Sequence, residues 1–112
     1  MTDIFDQDLG QTPANYTPLS PLSLLTRVDR VYPDQPAVIH GSLRRSWAQT
    51  AERCRRLASA LASHGIGKGD TVAVMAPNIP ETLEAHYAIP MAGAVLNALN
   101  IRLDAATLAF IL

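Results

Sequence analysis

Apolar positions recur along this chain with two different periods, and the switches between them mark its elements. After Ser20, residues Leu24, Leu25, Val28, Val31 and Tyr32 fall on one face at helical spacing. Ser20-Pro21 supplies the start: Ser accepts from the free amides, and Pro at the first helical position forfeits no hydrogen bond. Pro33, followed by Asp34 and Pro36, ends this helix. Ala37 to His40 predicts a short strand, Gly41-Ser42-Leu43 a turn, and Arg44 to Trp47 the returning strand of a β-hairpin. A second helix is the clearest element. Ser46 and Gln49 form a Ser-x-x-Gln capping box, and Trp47, Ala51, Cys54, Ala58 and Leu61 line one face. Gln49, Glu52, Arg53, Arg56 and Ser63 line the other, with Glu52 and Arg56 paired at i,i+4. Gly65 lies where a left-handed C-terminal cap belongs.

Ile66 to Asp70 predicts a turn, and Thr71 to Ala76 a nearly continuous apolar run. Such a run suits a strand covered on both faces, as in a parallel sheet. Asn78 and Glu81 predict the capping of a third helix, with Pro80 in its first turn and Leu83, Tyr87 and Met91 along it. On local grounds Pro90 stops that helix. Ala94 to Leu99 predicts a second buried strand. Strand, helix and strand at this spacing make a βαβ unit joining parallel strands. Asp104 caps a last helix over 105–112. The expected class is α/β: a partial parallel sheet with flanking helices plus a β-hairpin.

Residues 1–19 show no apolar period. They carry Asp3, Asp6, Asp8, Gly10, Pro13 and Pro18 and no basic residue, which predicts an extended, flexible N-terminal arm ahead of a domain portion over 20–112. Phe110-Ile111-Leu112 lies inside a helical pattern, with no Gly and no polar stop after it. The expectation is therefore a domain truncated at Leu112, whose main partner is the rest of its own polypeptide.

Composition narrows the function. Nine Lys+Arg against ten Asp+Glu give a net charge of −1 over 112 residues, which excludes a strongly basic nucleic-acid binder. No apolar run approaches the roughly 18 residues of a transmembrane segment. The first residues are acidic where a secretory leader is basic, so the expected compartment is cytoplasmic. The single cysteine, Cys54, makes no intramolecular disulfide and no Cys-only metal site.

Candidate chemistry is sparse. Gly65-Ile66-Gly67-Lys68-Gly69 lacks the order of a phosphate loop, because Lys68 is followed by Gly69 and the segment leads from a helix into a strand. It reads as a helix cap and tight turn. His40, His64 and His86 form no zinc pattern. His64 suits a helix C-terminus, and His86, near Glu84 and Tyr87, reads as a packed or surface side chain. Cys54 reads as a buried structural thiol. Arg44, Arg45, Arg53, Arg55 and Arg56 form a basic patch, read as a solvated helix face, with contact to another domain or an anionic cofactor as the alternative. Glu81 and Glu84 share a helical side, but Glu81 is explained by capping. No residue emerges as catalytic, cofactor-binding or metal-binding. The loops after Ala76 and Leu99 are the expected functional surface, since parallel α/β domains work at the carboxyl ends of their strands.

Seven pieces, in order, carry a resemblance over Pro21 to Leu112. They are Tyr32-Pro33-Asp34; Ala37-Val38-Ile39; Ser46-Trp47-Ala48-Gln49; the helix after it; Gly65-Ile66-Gly67-Lys68-Gly69-Asp70-Thr71-Val72-Ala73; Pro77-Asn78-Ile79-Pro80-Glu81; and Ala92-Gly93-Ala94-Val95-Leu96-Asn97 through Asn100-x-Arg102-Leu103. Together they resemble the N-terminal part of the acyl-CoA synthetases, within the adenylate-forming superfamily. The resemblance implies part of the large N-terminal domain of an enzyme that joins a carboxylic or fatty acid to coenzyme A through an acyl-adenylate. It implies ATP, Mg2+ and CoA for the whole enzyme and a carboxylic acid substrate; the oligomeric state stays open, with a homodimer as one option. The phosphate loop, the Tyr-Gly-x-Thr-Glu segment, the ribose-binding Asp and the catalytic Lys of such enzymes match no position here, so the piece is expected to be inactive alone. Two departures stand out. Pro90 lies inside a helix that the family continues to Ala92-Gly93, and Ile101 replaces a common Pro. The Asn-x-Arg-Leu string leans toward medium- and long-chain acyl ligases. Alternative parents are a peptide-synthetase adenylation domain or a luciferase-like enzyme; the remaining alternative is a small non-catalytic α/β binding module.

Overall fold

The computed structural model describes Gln7 and residues 10–112. The arm expected over 1–19 lies in part outside the described residues, Asp3, Asp6 and Asp8 included. Residues 10–19 are exposed, with one turn in which Asn15 Oδ1 accepts from the Thr12 amide at 2.8 Å.

Eight elements follow: α1 (Pro21–Val31), β1 (Pro36–His40), β2 (Leu43–Ser46), α2 (Trp47–Ser63), β3 (Thr71–Met75), α3 (Pro80–Met91), β4 (Val95–Leu99) and α4 (Ala105–Ile111). β1 and β2 pair antiparallel as a hairpin, with an irregularity between Pro36 and Val38. β3 and β4 pair parallel, from Thr71 opposite Val95 to Met75 opposite Leu99, across the α3 crossover.

The helix ends follow the sequence chemistry closely. Ser20 Oγ accepts from the Leu22 amide at 3.2 Å. At α2 the capping box is reciprocal: Ser46 Oγ accepts from the Gln49 amide at 3.3 Å, and Gln49 Oε1 accepts from the Ser46 amide at 2.9 Å. Gly65 takes φ +78°, and the amides of Gly65 and Ile66 donate to the carbonyls of Ala62 and Leu61, which closes α2 in a Schellman motif. Asp104 accepts from the Thr107 amide and hydroxyl, each at 2.9 Å.

α3 differs from expectation at both ends. Its N-cap is Ile79, with no side-chain cap; Asn78 does not serve. Pro80 takes the first position and needs no acceptor, while the Thr82 hydroxyl donates to the Pro77 carbonyl at 2.6 Å. At the other end the helix does not stop at Pro90 but runs on to Met91, as the resemblance implied. So close to the end, Pro90 removes one backbone hydrogen bond and leaves the Ala92 amide free to close on Ala88.

α3 is apolar on two sides because it serves two cores. Ala88 packs with Leu25, Ala51 and Cys54, flanked by Val28, Trp47, Tyr87 and Met91. Ala85 and Ile89 pack with Ala94, flanked by Leu61, Ile66, Val72, Val74 and Leu96. The strands are covered on one face only, where two covered faces were expected. Val72 and Val74 turn toward α3, while Met75 and Val95 are 53% and 59% exposed on the opposite side. With a side-chain period of two, each strand presents apolar groups to both faces, and α3 reaches just one of them.

Candidate functional site

The parallel register decides what the loops can do. Because Met75 lies beside Leu99, the two following loops leave the sheet side by side. Ala76, Pro77, Asn78, Asn100, Ile101 and Arg102 line an open cavity of about 410 Å3 there. The two loops expected to carry function thus line one shared cavity. Asn100 shapes it: its Oδ1 accepts from the Arg102 amide at 3.0 Å and its carbonyl from the Leu103 amide at 3.2 Å. Arg102 has no carboxylate within 4.0 Å among the described residues, so its guanidinium remains available. The mouth offers one cation and two carboxamides, suited to holding a polar or anionic group. It offers no nucleophile and no acid/base pair.

An apolar groove of about 440 Å3 opens next to it, sharing Asn78. Its walls are Val38, Ile39 and His40 of β1 and Ile79, Pro80, Thr82, Leu83 and His86 at the start of α3. Two histidines that are far apart in sequence therefore line one groove. His86 Nδ1 lies 2.7 Å from the Thr82 carbonyl. His64 takes the C-cap of α2, with Nδ1 2.8 Å from the Ala60 carbonyl. Among the described residues no three His, Cys, Asp or Glu side chains gather to hold a metal ion.

Four arginines of the basic patch, Arg44, Arg53, Arg55 and Arg56, are exposed, as a solvated face requires. Arg45 is the exception: it is largely buried, and it shares carboxylates with Arg53. Glu84, 4% exposed, accepts on one oxygen, Oε1, from Arg45 at 2.6 Å and from Arg53 Nε at 2.7 Å. Arg45 and Arg53 also approach Glu81, at 3.4 and 3.7 Å. Arg55 pairs with Asp29 at 2.8 Å, Arg56 with Glu52, and Arg44 donates to the carbonyls of Gly41 and Leu43. Glu81 is held below the usual carboxylate range, first by its backbone amide at the helix start and then by Arg45. The Glu84 hydrogen bond holds Arg53 above its ordinary value. Cys54 is fully buried, and burial pushes its thiol up to about 11. The sequence did not show the Arg45–Glu84–Arg53 cluster, whose partners lie 31 and 39 residues apart. The available signal was a single charge, Glu84, set among the apolar positions Ala85, Ala88 and Ile89.

The sequence profile of the family described as AMP-binding enzyme matches residues 25–112. This chain belongs to that family. A peroxisomal acetate/butyrate–CoA ligase from Arabidopsis thaliana is 59% identical over 105 residues, which is 94% of this chain and 18% of the relative. An acetate–CoA ligase from Humulus lupulus is 57% identical over 105 residues, again 94% of this chain and 18% of the relative. The fold agrees: the O-succinylbenzoate coenzyme A synthetase of Bacillus subtilis, solved with ATP and magnesium ion, superposes with a TM-score of 0.72 at 28% identity. That match covers 77% of this chain and 24% of the synthetase. The chain thus spans about a fifth of the length of its AMP-binding relatives. No helix among the described residues is long and apolar enough to cross a membrane.

Proposed function

We propose that this chain is the scaffold portion, over 20–112, of an AMP-forming acyl–CoA ligase acting on short-chain carboxylic acids. The observation that carries the reading is 59% identity across 94% of the chain to a ligase named for acetate and butyrate. That relative favours a shorter acid than the Asn100-x-Arg102-Leu103 string suggested. In the proposed reaction a carboxylate oxygen bonds the α-phosphorus of ATP and pyrophosphate leaves. The sulfur of CoA then bonds the acyl carbon and AMP leaves. The cofactor set is ATP, Mg2+ and CoA. This chain supplies βαβ framework and a polar mouth at Asn78, Asn100 and Arg102, and assigns none of its residues to catalysis, to a cofactor or to a metal.

The test is direct. Full-length protein incubated with ATP, Mg2+, CoA and acetate or butyrate is expected to release AMP and acyl-CoA, while residues 1–112 alone catalyse no ATP–pyrophosphate exchange. Adenylation of acids with no transfer to CoA would move the reading to another adenylate-forming enzyme. Exchange by the 112-residue chain would overturn the assignment of a scaffold role. The homodimer belongs to the same proposal and is checked by light scattering of the full-length protein. For location, the cytoplasm is the starting expectation and the Arabidopsis relative's name makes the peroxisome its rival. Microscopy of a full-length fluorescent fusion decides between them.

A further inference from the structure

The β1–β2 hairpin is thinly supported. A lone two-stranded hairpin is marginal in water. Within it, Val38 is the one buried side chain, while Ile39 and Arg44 on the outer face stand in solvent. At its base, the amides of Trp47 and Ala48 donate to the carbonyls of Gln35 and Pro33, which pins that end. β1 and β2 also pack against α2, and the attachment to α3 is Arg45. It sits opposite Val38 in the ladder and so points to the same face. Its guanidinium crosses to α3 and donates to the buried Glu84 carboxylate, with Glu81 in reach.

A carboxylate this buried needs a cation. Glu84 has two, so neither arginine alone is required to keep it paired. Their mechanical roles differ. Arg53 ties α2 to α3, two helices already joined through Ala51, Cys54 and Ala88. Arg45 ties the hairpin to α3, the two elements whose β1 strand and first helical turns wall the 440 Å3 groove.

We propose that Arg45–Glu84 is a latch that holds the β1–β2 hairpin as a releasable strap along the α3 groove. Opening it frees the strap about its base while the helices and the β3–β4 pair stay assembled. The latch also sets the separation of the groove walls, and hence access to Val38 and Leu83 from outside.

Hydrogen exchange read by mass spectrometry on the full-length protein tests this. R45Q is expected to speed exchange in β1 and β2 on the order of tenfold, the effect of losing a charge-assisted hydrogen bond from a locally opening unit. The amides of α2, α3, β3 and β4 keep wild-type rates. R53Q leaves the hairpin near wild-type rates, because Arg45 still engages Glu84. E84Q, which keeps the shape and removes the shared charge, leaves Arg45 only Glu81 at 3.4 Å and speeds hairpin exchange in the same direction as R45Q, by less. Should E84Q fail to fold, R45Q against R53Q still decides, since each retains one cation on Glu84. Equal, molecule-wide acceleration in R45Q and R53Q would show a general stabilising cluster and overturn the latch. So would an R45Q hairpin with unchanged exchange.

Discussion

Cys54 and Glu84 show how little room the core leaves for uncompensated polarity. The Cys54 thiol donates weakly to the Glu84 carbonyl at 3.7 Å. Burial raises its pKa first, the Glu84 charge adds to that, and Arg53 and Arg55 oppose. The folded thiol therefore stays protonated up to about pH 11, whereas the ordinary value is 9.0. Between those values the unfolded chain sheds its proton and the folded one does not. Stability attributable to Cys54 is thus present below pH 9 and lost as pH rises toward 11, by on the order of 2 kcal/mol. Urea midpoints measured from pH 8 to pH 11 should fall more steeply for the wild type than for Cys54→Ala; parallel curves would refute the assignment. Native Cys54 should also resist alkylation at pH 8 until the protein unfolds. Glu84→Ala removes the shared acceptor and leaves Arg45 only the longer contact to Glu81 at 3.4 Å, at an expected cost of about 1–3 kcal/mol. Denaturation of Glu84→Ala, Arg45→Ala and the double variant forms a cycle whose coupling should be favourable; a coupling near zero would mean the two side chains merely touch.

Elements are positioned here by small backbone devices, and those were largely legible. Capping by Ser20, Ser46 with Gln49, Gly65 and Asp104 could be read from spacing, because a cap is a local reaction between residues two to four apart. Ser46→Ala is expected to cost about 1 kcal/mol in thermal or urea unfolding. Gly93 is less obvious from sequence. It takes φ +87°, and a Cβ there would lie 3.4 Å from the Lys68 amide nitrogen. This close approach seats the Gly67–Gly69 turn on the start of β4, where the Val95 amide donates to the Asp70 carbonyl at 2.8 Å. Gly93→Ala should destabilise by about 1–3 kcal/mol through strain, with Gly10→Ala, in open space, as the neutral control. What escaped the sequence was long-range. The Arg45–Glu84–Arg53 cluster joins a strand and two helices through charges that one-dimensional patterning reads as surface. Asn78 is a good capping residue, yet Pro80 takes the first helical position and so places the cap one residue later, on Ile79.

At the scale of the whole molecule, the apolar run of Thr71–Met75 and the exposure of its outer face make one physical statement. The pattern of β3 is that of a strand covered twice, and the fold covers it once. The radius of gyration is 18.4 Å, against roughly 13 Å for a compact chain of this length. Leu24 and Val31 of α1, Met75 and Val95 of the sheet, and Phe110 of α4, which is 91% exposed, lie on surfaces with no covering layer among the described residues. Apolar surface left in water favours association at about 25 cal/mol per Å2, and open parallel strand edges add unpaired donors and acceptors. Relatives with about five times as much chain have the material to cover such a face. We therefore expect residues 1–112 produced alone to bind a hydrophobic dye and self-associate with rising concentration. Full-length protein should bind little dye. Within the short chain, Met75→Thr with Val95→Thr, on the bare face, should reduce both dye binding and association, whereas Val72→Thr, facing α3, should unfold the βαβ unit. Scattering that shows a dye-silent monomer of residues 1–112 near 13 Å would mean that the chain closes its own sheet face and needs no further polypeptide to do so.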